Sequence, residues 1–128
     1  MSQTVLVVED NAQNRMLMVD ILQCHGYEVL EAKDGAEGIR LARENRPALI
    51  LLDMQMPVMD GIEAARILKG DPETKAIKIL AVTSFAMKGD RERILSAGVD
   101  EYMAKPIDTR ELPRVIKRLL LPGAENER

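Results

Sequence analysis

Acidic side chains follow two apolar segments of this chain, at the point where each segment ends. Val5–Val8 is followed at once by Glu9 and Asp10, and Leu49–Leu52 is followed by Asp53. Clustered carboxylates raise one another's pKa, and a divalent cation removes that conflict. Because Mg²⁺ takes carboxylate, carbonyl and water oxygens as ligands, the residue types predict a magnesium site if these acids converge.

A hydroxyl and an ammonium group stand at the ends of two further segments. Thr83 closes one segment, and Lys105 with Pro106 follows another. Beside a metal, one carboxylate can act as nucleophile while the metal and Lys105 offset charge on an incoming phosphoryl group. Each residue alone has a commoner role; Asp10, for example, could cap the next helix, a role that Asn11 can also fill. The combination indicates phosphoryl transfer.

Five short β-type segments alternate with helical patterns and position these groups. Continuous apolar strands of this kind are typical of a parallel sheet covered on both faces, so the chain predicts a doubly wound α/β fold with five helices. In such sheets ligands bind beyond the carboxyl ends of the strands. The predicted strands are Val5–Val8, Tyr27–Ala32, Leu49–Leu52, Lys78–Thr83 and Val99–Ala104.

The composition fits one ordinary globular domain. The chain has 128 residues, 46% hydrophobic and 30% charged, with a formal net charge of −3. That charge leaves no basic footprint for DNA or for a membrane surface. No apolar run approaches the roughly 20 residues that span a bilayer, and no cationic leader opens the chain, so we expect a cytoplasmic protein. The single cysteine, Cys24, is expected to be a buried thiol.

Four segments together resemble the receiver domain of two-component response regulators: "VLVVEDN", "LILLDMQMPVMDG", "AVTSFA" and "YMAKP". The resemblance covers about residues 3–121 and is closest in character to small standalone receivers. It implies a flavodoxin-like (CheY-like) sheet in the order 2-1-3-4-5. It also implies a receiver domain over 1–121, followed by a flexible tail over 122–128.

The resemblance assigns a role to each polar residue at the strand ends. Asp53 would accept a phosphoryl group from a phosphohistidine on a histidine kinase or histidine phosphotransfer protein. Thr83 would hydrogen-bond a phosphoryl oxygen, Lys105 would pair with the phosphoryl charge, and the Lys105–Pro106 peptide bond would be cis. The Mg²⁺ ligands would be Glu9 (through water), Asp10, Asp53 and the backbone carbonyl of Gln55.

The resemblance also implies a switch. Phosphorylation would pull Thr83 inward, Tyr102 would follow, and the face made by the fourth helix, fifth strand and fifth helix would be rearranged for a downstream protein. Gln55 and Phe85 would border the phosphoryl group. Because an apolar ring should exclude an attacking water, we expect slow self-hydrolysis.

The sequence therefore favours a single-domain response regulator of a phosphorelay. It would catalyse its own aspartyl phosphorylation and dephosphorylation while acting mainly as a signalling switch. Two alternatives within the family stay open: a receiver excised from a hybrid histidine kinase, and an unphosphorylated scaffold that binds partners constitutively. A flavodoxin-like cofactor enzyme is disfavoured, since neither G-x-G-x-x-G nor G-x-x-x-x-G-K-[ST] occurs.

Overall fold

Five parallel strands and five helices alternate along the chain, as a computed structural model shows for residues 3–56, 59–84 and 88–121. The strand order is β2-β1-β3-β4-β5, so the predicted fold class and order are confirmed. The predicted tail, 122–128, lies outside the described residues. The strands are β1 (Thr4–Val8), β2 (Glu28–Ala32), β3 (Leu49–Asp53), β4 (Lys78–Thr83) and β5 (Glu101–Ala104). The helices are α1 (Ala12–Cys24), α2 (Gly35–Asn45), α3 (Gly61–Gly70), α4 (Lys88–Ser96) and α5 (Glu111–Leu120).

Both faces of the sheet are covered by helices. Val5 and Val7 of β1 pack with residues of α1 and α5, whereas Leu6 and Val8 pack with residues of α2, α3 and α4. Because side chains alternate between the faces of a strand, a strand buried on both sides must be apolar throughout. This explains the continuous apolar runs, and it leaves only the strand ends for polar chemistry.

The start of α1 follows directly on the acidic pair. Asn11 caps this helix, with its side-chain Oδ1 accepting a hydrogen bond from the Asn14 N–H at 2.9 Å. The alternative role for Asp10 as helix cap is therefore wrong. The strand order reverses at β1, which pairs with β2 on one side and β3 on the other. The acids thus lie at the switch point, where open α/β sheets bind ligands.

The strand bounds differ from the predicted ones by one residue at the start of β1, the start of β2 and the end of β3, and by two residues at the start of β5. The fifth strand begins at Glu101 and not at Val99, because the Asp100 carboxylate accepts the Ile79 N–H at 2.8 Å in place of a strand carbonyl. The expected burial of Cys24 is wrong, since its side chain is exposed. The buried residues of α1 are Met18, Val19 and Leu22, and Cys24 lies two positions after Leu22, on the opposite side of the helix.

Candidate functional site

Three acids converge at the carboxyl ends of β1 and β3. Each of Glu9, Asp10 and Asp53 offers a carboxylate oxygen, and these oxygens lie within 4.8 Å of one another. Glu9 and Asp53 are buried, whereas Asp10 is exposed. A cation that approached from solvent would therefore meet Asp10 first, with two buried carboxylates behind it.

Lys105 joins this cluster from the position that follows β5. Its Nζ lies 3.2 Å from Glu9 Oε1 and 3.2 Å from Asp53 Oδ1. Its backbone N–H donates to the Thr83 carbonyl at 2.8 Å, and the peptide bond between Lys105 and Pro106 is cis. Burial disfavours the charged ammonium, but the carboxylates of Asp53 and Glu9 outweigh this effect and raise the pKa of Lys105. The ammonium therefore stays charged and offsets part of the acidic charge.

One ammonium does not neutralise three carboxylates, and the pKa of the buried Glu9 is raised. Burial raises the pKa of Glu9 from its ordinary value of 4.5 to about 7, and the neighbouring Asp53 carboxyl adds to the rise. The Asn11 N–H, which donates to Glu9 Oε2 at 3.1 Å, and the Lys105 ammonium act in the opposite direction. Without a cation, a proton occupies this cluster for part of the time near neutral pH.

The two oxygens of Asp53 have different surroundings. Oδ1 accepts the Gln55 N–H at 3.0 Å and faces Lys105. Oδ2 is buried and has no hydrogen-bond partner within the described part of the chain. Burying an unsatisfied polar atom costs about 1–3 kcal/mol, and more for a charged group. This oxygen is therefore available to a metal ion or an electrophile.

A close approach between α3 and β3 supports the position of Asp53. A Cβ atom at Gly61, the first residue of α3, would lie 2.4 Å from the Asp53 carbonyl oxygen and 2.6 Å from Met54 Cα. The Gly61 N–H donates to the Met54 carbonyl at 3.2 Å. Glycine is thus required where the helix meets the end of the strand that carries Asp53.

Gln55 links the loop after β3 to the end of β4. Its Oε1 accepts the Ser84 N–H at 2.7 Å and also hydrogen-bonds the Ser84 hydroxyl. Thr83, the last residue of β4, is buried beside this contact. The sequence indicated that Gln55 borders the site, but it gave no sign of the contact with Ser84.

Tyr102 lies on β5, half-buried against the core cluster that contains residues of α2, α3 and α4. The guanidinium carbon of Arg91, on α4, is 5.5 Å from the centroid of its ring. Phe85, the other aromatic residue expected near the site, lies outside the described residues.

Sequence reasoning missed Arg15 on α1. Its Nη1 donates to the Glu9 carbonyl at 2.8 Å, and its Nε pairs with Glu31 Oε1 at 3.3 Å. The sequence contains a hint, since a cation five residues after an acidic pair lies one to two helical turns away. It does not show that the guanidinium turns back toward the strand ends.

A comparison with known protein families identifies the family to which the chain belongs. The family described as "Response regulator receiver domain" matches residues 5–117, most of the chain. The chain belongs to this family. Membership of this family sets aside the flavodoxin-like cofactor enzyme.

Curated relatives cover nearly the whole receiver. It is 44% identical over 120 residues to the polar-differentiation response regulator DivK of Brucella anthropi, a match that spans 94% of this chain and 98% of the relative. The protein of the same name from Brucella ovis is 43% identical with the same coverage. The predicted resemblance to receivers of this standalone type is confirmed.

Solved structures agree with the fold. The receiver domain of a Pseudomonas aeruginosa sensor histidine kinase, solved with a magnesium ion coordinated in its active-site cleft, superimposes with a TM-score of 0.87 at 37% identity. That match covers 94% of this chain and 98% of the Pseudomonas aeruginosa receiver domain. The Vibrio cholerae chemotaxis protein CheY4 gives a TM-score of 0.89 at 29% identity, over 94% and 100% of the two chains. None of the helices in the described residues is long and apolar enough to cross a membrane.

Proposed function

We propose that this receiver accepts a phosphoryl group on Asp53 in a Mg²⁺-dependent reaction and acts as a single-domain switch in a phosphorelay. One observation carries the proposal: the buried Oδ2 of Asp53 has no hydrogen-bond partner within the described residues, beside two further acids and an ammonium group. A purely structural carboxylate would be satisfied by hydrogen bonds. The cytoplasmic location stays a prediction.

The donor set fits Mg²⁺. Hard carboxylate oxygens converge from Glu9, Asp10 and Asp53, and the exposure of Asp10 leaves room for coordinated water. The proposed ligands are Asp10, Asp53 and the backbone carbonyl of Gln55, with Glu9 acting through water. When bound, the ion would neutralise acidic charge and orient phosphoryl oxygens. The magnesium ion in the Pseudomonas aeruginosa receiver supports this assignment by similarity.

In the proposed reaction, a carboxylate oxygen of Asp53 attacks the phosphorus of a phosphohistidine on the donor protein. The new O–P bond forms as the P–N bond breaks, and the electron pair of that bond stays on the imidazole nitrogen, which takes up a proton. Lys105 stabilises the charge on the equatorial phosphoryl oxygens, because its Nζ already faces Asp53 Oδ1. The Thr83 hydroxyl would donate a hydrogen bond to one of these oxygens.

The proposed donor is a histidine kinase or a histidine phosphotransfer protein, and we place it beside α1. Met16 and Leu17 are 64% and 46% exposed, which is unusual for large apolar side chains. Leu17 also lines a groove of about 390 Å³ that runs to Lys105 and Pro106. A helix of a donor protein that packed its apolar face here would bring a histidine close to Asp53.

The proposed output surface is the face formed by α4, β5 and α5. Phosphorylation adds about two negative charges. An inward movement of Thr83 would vacate space for Tyr102, which would then leave the Arg91 guanidinium. A shallow groove of about 660 Å³ already runs along this face beside Arg91, Leu95 and Tyr102. A downstream protein would bind the rearranged surface.

A titration with beryllofluoride and Mg²⁺, followed by amide NMR, tests the switch against the scaffold alternative. The switch predicts shifts around Asp53 together with coupled shifts at Tyr102 and along α4 and α5, and Asp53→Asn abolishes both. A constitutive scaffold predicts no coupled change at Tyr102. Transfer of labelled phosphate from a panel of histidine kinases and phosphotransfer proteins, with the same variant as control, identifies the donor.

A further inference from the structure

Arg15 is held at two points on the margin of the acidic cluster. Its Nη1 donates to the backbone carbonyl of Glu9 at 2.8 Å, and its Nε pairs with the Glu31 carboxylate at 3.3 Å. The side chain is only 18% exposed, whereas that of Glu31 is 54% exposed. Because a guanidinium presents its donors in a rigid planar fork, two contacts fix both its position and its orientation.

The carbonyl that Arg15 holds belongs to the peptide bond between Glu9 and Asp10. Glu9 is fixed elsewhere by its N–H, which donates to Ala32 at 3.0 Å, and by its carboxylate, which accepts the Asn11 N–H. Of these contacts, only the one from Arg15 acts on the peptide group that sets the direction of Asp10. Asp10 itself is exposed, and no hydrogen bond of its carboxylate is found within the described residues.

We infer that Arg15 is a positioning residue for the metal site, which holds the Glu9–Asp10 peptide so that both carboxylates face Asp53. The inference rests on the proposed function, because it concerns the same magnesium site. Removal of a residue that orients the metal ligands without binding the metal itself typically weakens metal affinity by about 10–100-fold.

The charge of Arg15 and its proposed positioning role predict opposite changes in the Kd for Mg²⁺ when Arg15 is removed. The guanidinium is a positive charge near a cation site, so by Coulomb repulsion alone its removal should strengthen Mg²⁺ binding. If Arg15 positions the ligands, its removal should weaken binding in spite of that effect. The direction of the change in Kd therefore separates the two roles.

The test is calorimetric titration of Mg²⁺ into the whole protein and its variants, with thermal unfolding in metal-free buffer as a measure of folding. Arg15→Met is expected to raise the Kd about tenfold. Arg15→Lys should also raise it, because the charge remains but the fork is lost. The matched control is Arg40→Met, which removes an exposed arginine that pairs only with Glu44 on α2 within the described residues.

A Kd that is unchanged or lower in Arg15→Met would overturn the inference. If that variant fails to fold, Arg15→Lys decides: the charge is kept, so weaker Mg²⁺ binding is expected only from loss of the fork, and an unchanged Kd would overturn the inference. Failure of the unaltered protein to bind Mg²⁺ would overturn the proposed function as well, whereas normal binding with unaffected variants would remove only the role of Arg15.

Discussion

Lys105 Nζ and Asp53 Oδ1 lie 3.2 Å apart, although Asp53 ends β3 and Lys105 follows β5. β4 lies between these two strands in the sheet. The contact therefore passes over the end of β4, where the Thr83 carbonyl accepts the Lys105 N–H. We therefore expect a movement at Thr83 to displace the residue whose ammonium faces the proposed phosphoacceptor.

Binding of Mg²⁺ should release protons near neutral pH. Burial raises the pKa of Glu9 to about 7, so the metal-free cluster holds a proton that a cation must displace. We expect the apparent affinity to rise between about pH 6 and about pH 8. Calorimetry in buffers of different ionisation enthalpy measures the released protons. An affinity that is flat across this range would contradict the role of Glu9.

The same pKa shift predicts how stability depends on pH without metal. The folded state holds the Glu9 proton more tightly than the unfolded state, so this contribution is complete below pH 4.5 and is lost as pH rises through about 7. Glu9→Gln should remove this dependence and stabilise the metal-free protein above pH 7 by up to about 3 kcal/mol. Urea unfolding at several pH values measures the free energy of unfolding of both proteins. Parallel curves for the two proteins would argue against a buried, destabilised Glu9.

Two glycines of α3 provide a matched pair for the support of Asp53. Gly61→Ala should destabilise the fold by about 1–3 kcal/mol, because the new Cβ would overlap the backbone of Asp53 and Met54. Gly70→Ala, at the other end of the same helix, meets nothing within 4 Å and should be neutral or slightly stabilising. Chemical denaturation compares them. Equal effects of the two changes would show that the close approach at Gly61 is unimportant.

The lifetime of the phosphorylated form should depend on Phe85. Because the resemblance to receivers places the apolar ring of Phe85 beside the phosphoryl group, where it should exclude water, we expect slow self-hydrolysis in the natural protein and faster decay in Phe85→Glu. The Oε1 of Gln55 is engaged by Ser84 in this structure, which leaves the Nε2 group to orient a water molecule. Decay of labelled phosphate in Mg²⁺ measures both lifetimes, and identical values would reject the shielding role.

Much of the fold follows from the sequence because apolar runs and strand-end residues are local signals. Lys78–Thr83 is predicted with its observed bounds, since the charged Lys78 opens the apolar run and the polar Thr83 and Ser84 close it. The start of β5 is not, because the Asp100 carboxylate replaces a strand carbonyl at Ile79. That bond joins residues distant in sequence, and no pattern within one segment reveals it.

The candidate site likewise has features that the sequence predicts and features that it does not. The approach of Glu9, Asp10 and Asp53 follows from the rule that parallel strands end at one edge of the sheet. The contacts of Arg15 with the Glu9 carbonyl and with Glu31 could not be predicted, because the direction of a long side chain depends on its tertiary neighbours.

The most direct test of the central claim is phosphorylation of the purified protein by a small phosphoryl donor, acetyl phosphate or phosphoramidate, followed by intact-protein and peptide mass spectrometry. We predict the mass gain of a single phosphoryl group on Asp53 that requires Mg²⁺, is lost when the metal is chelated beforehand, and is absent from Asp53→Asn. Modification of Asp53→Asn to the same extent, or equal modification without Mg²⁺, would contradict the account.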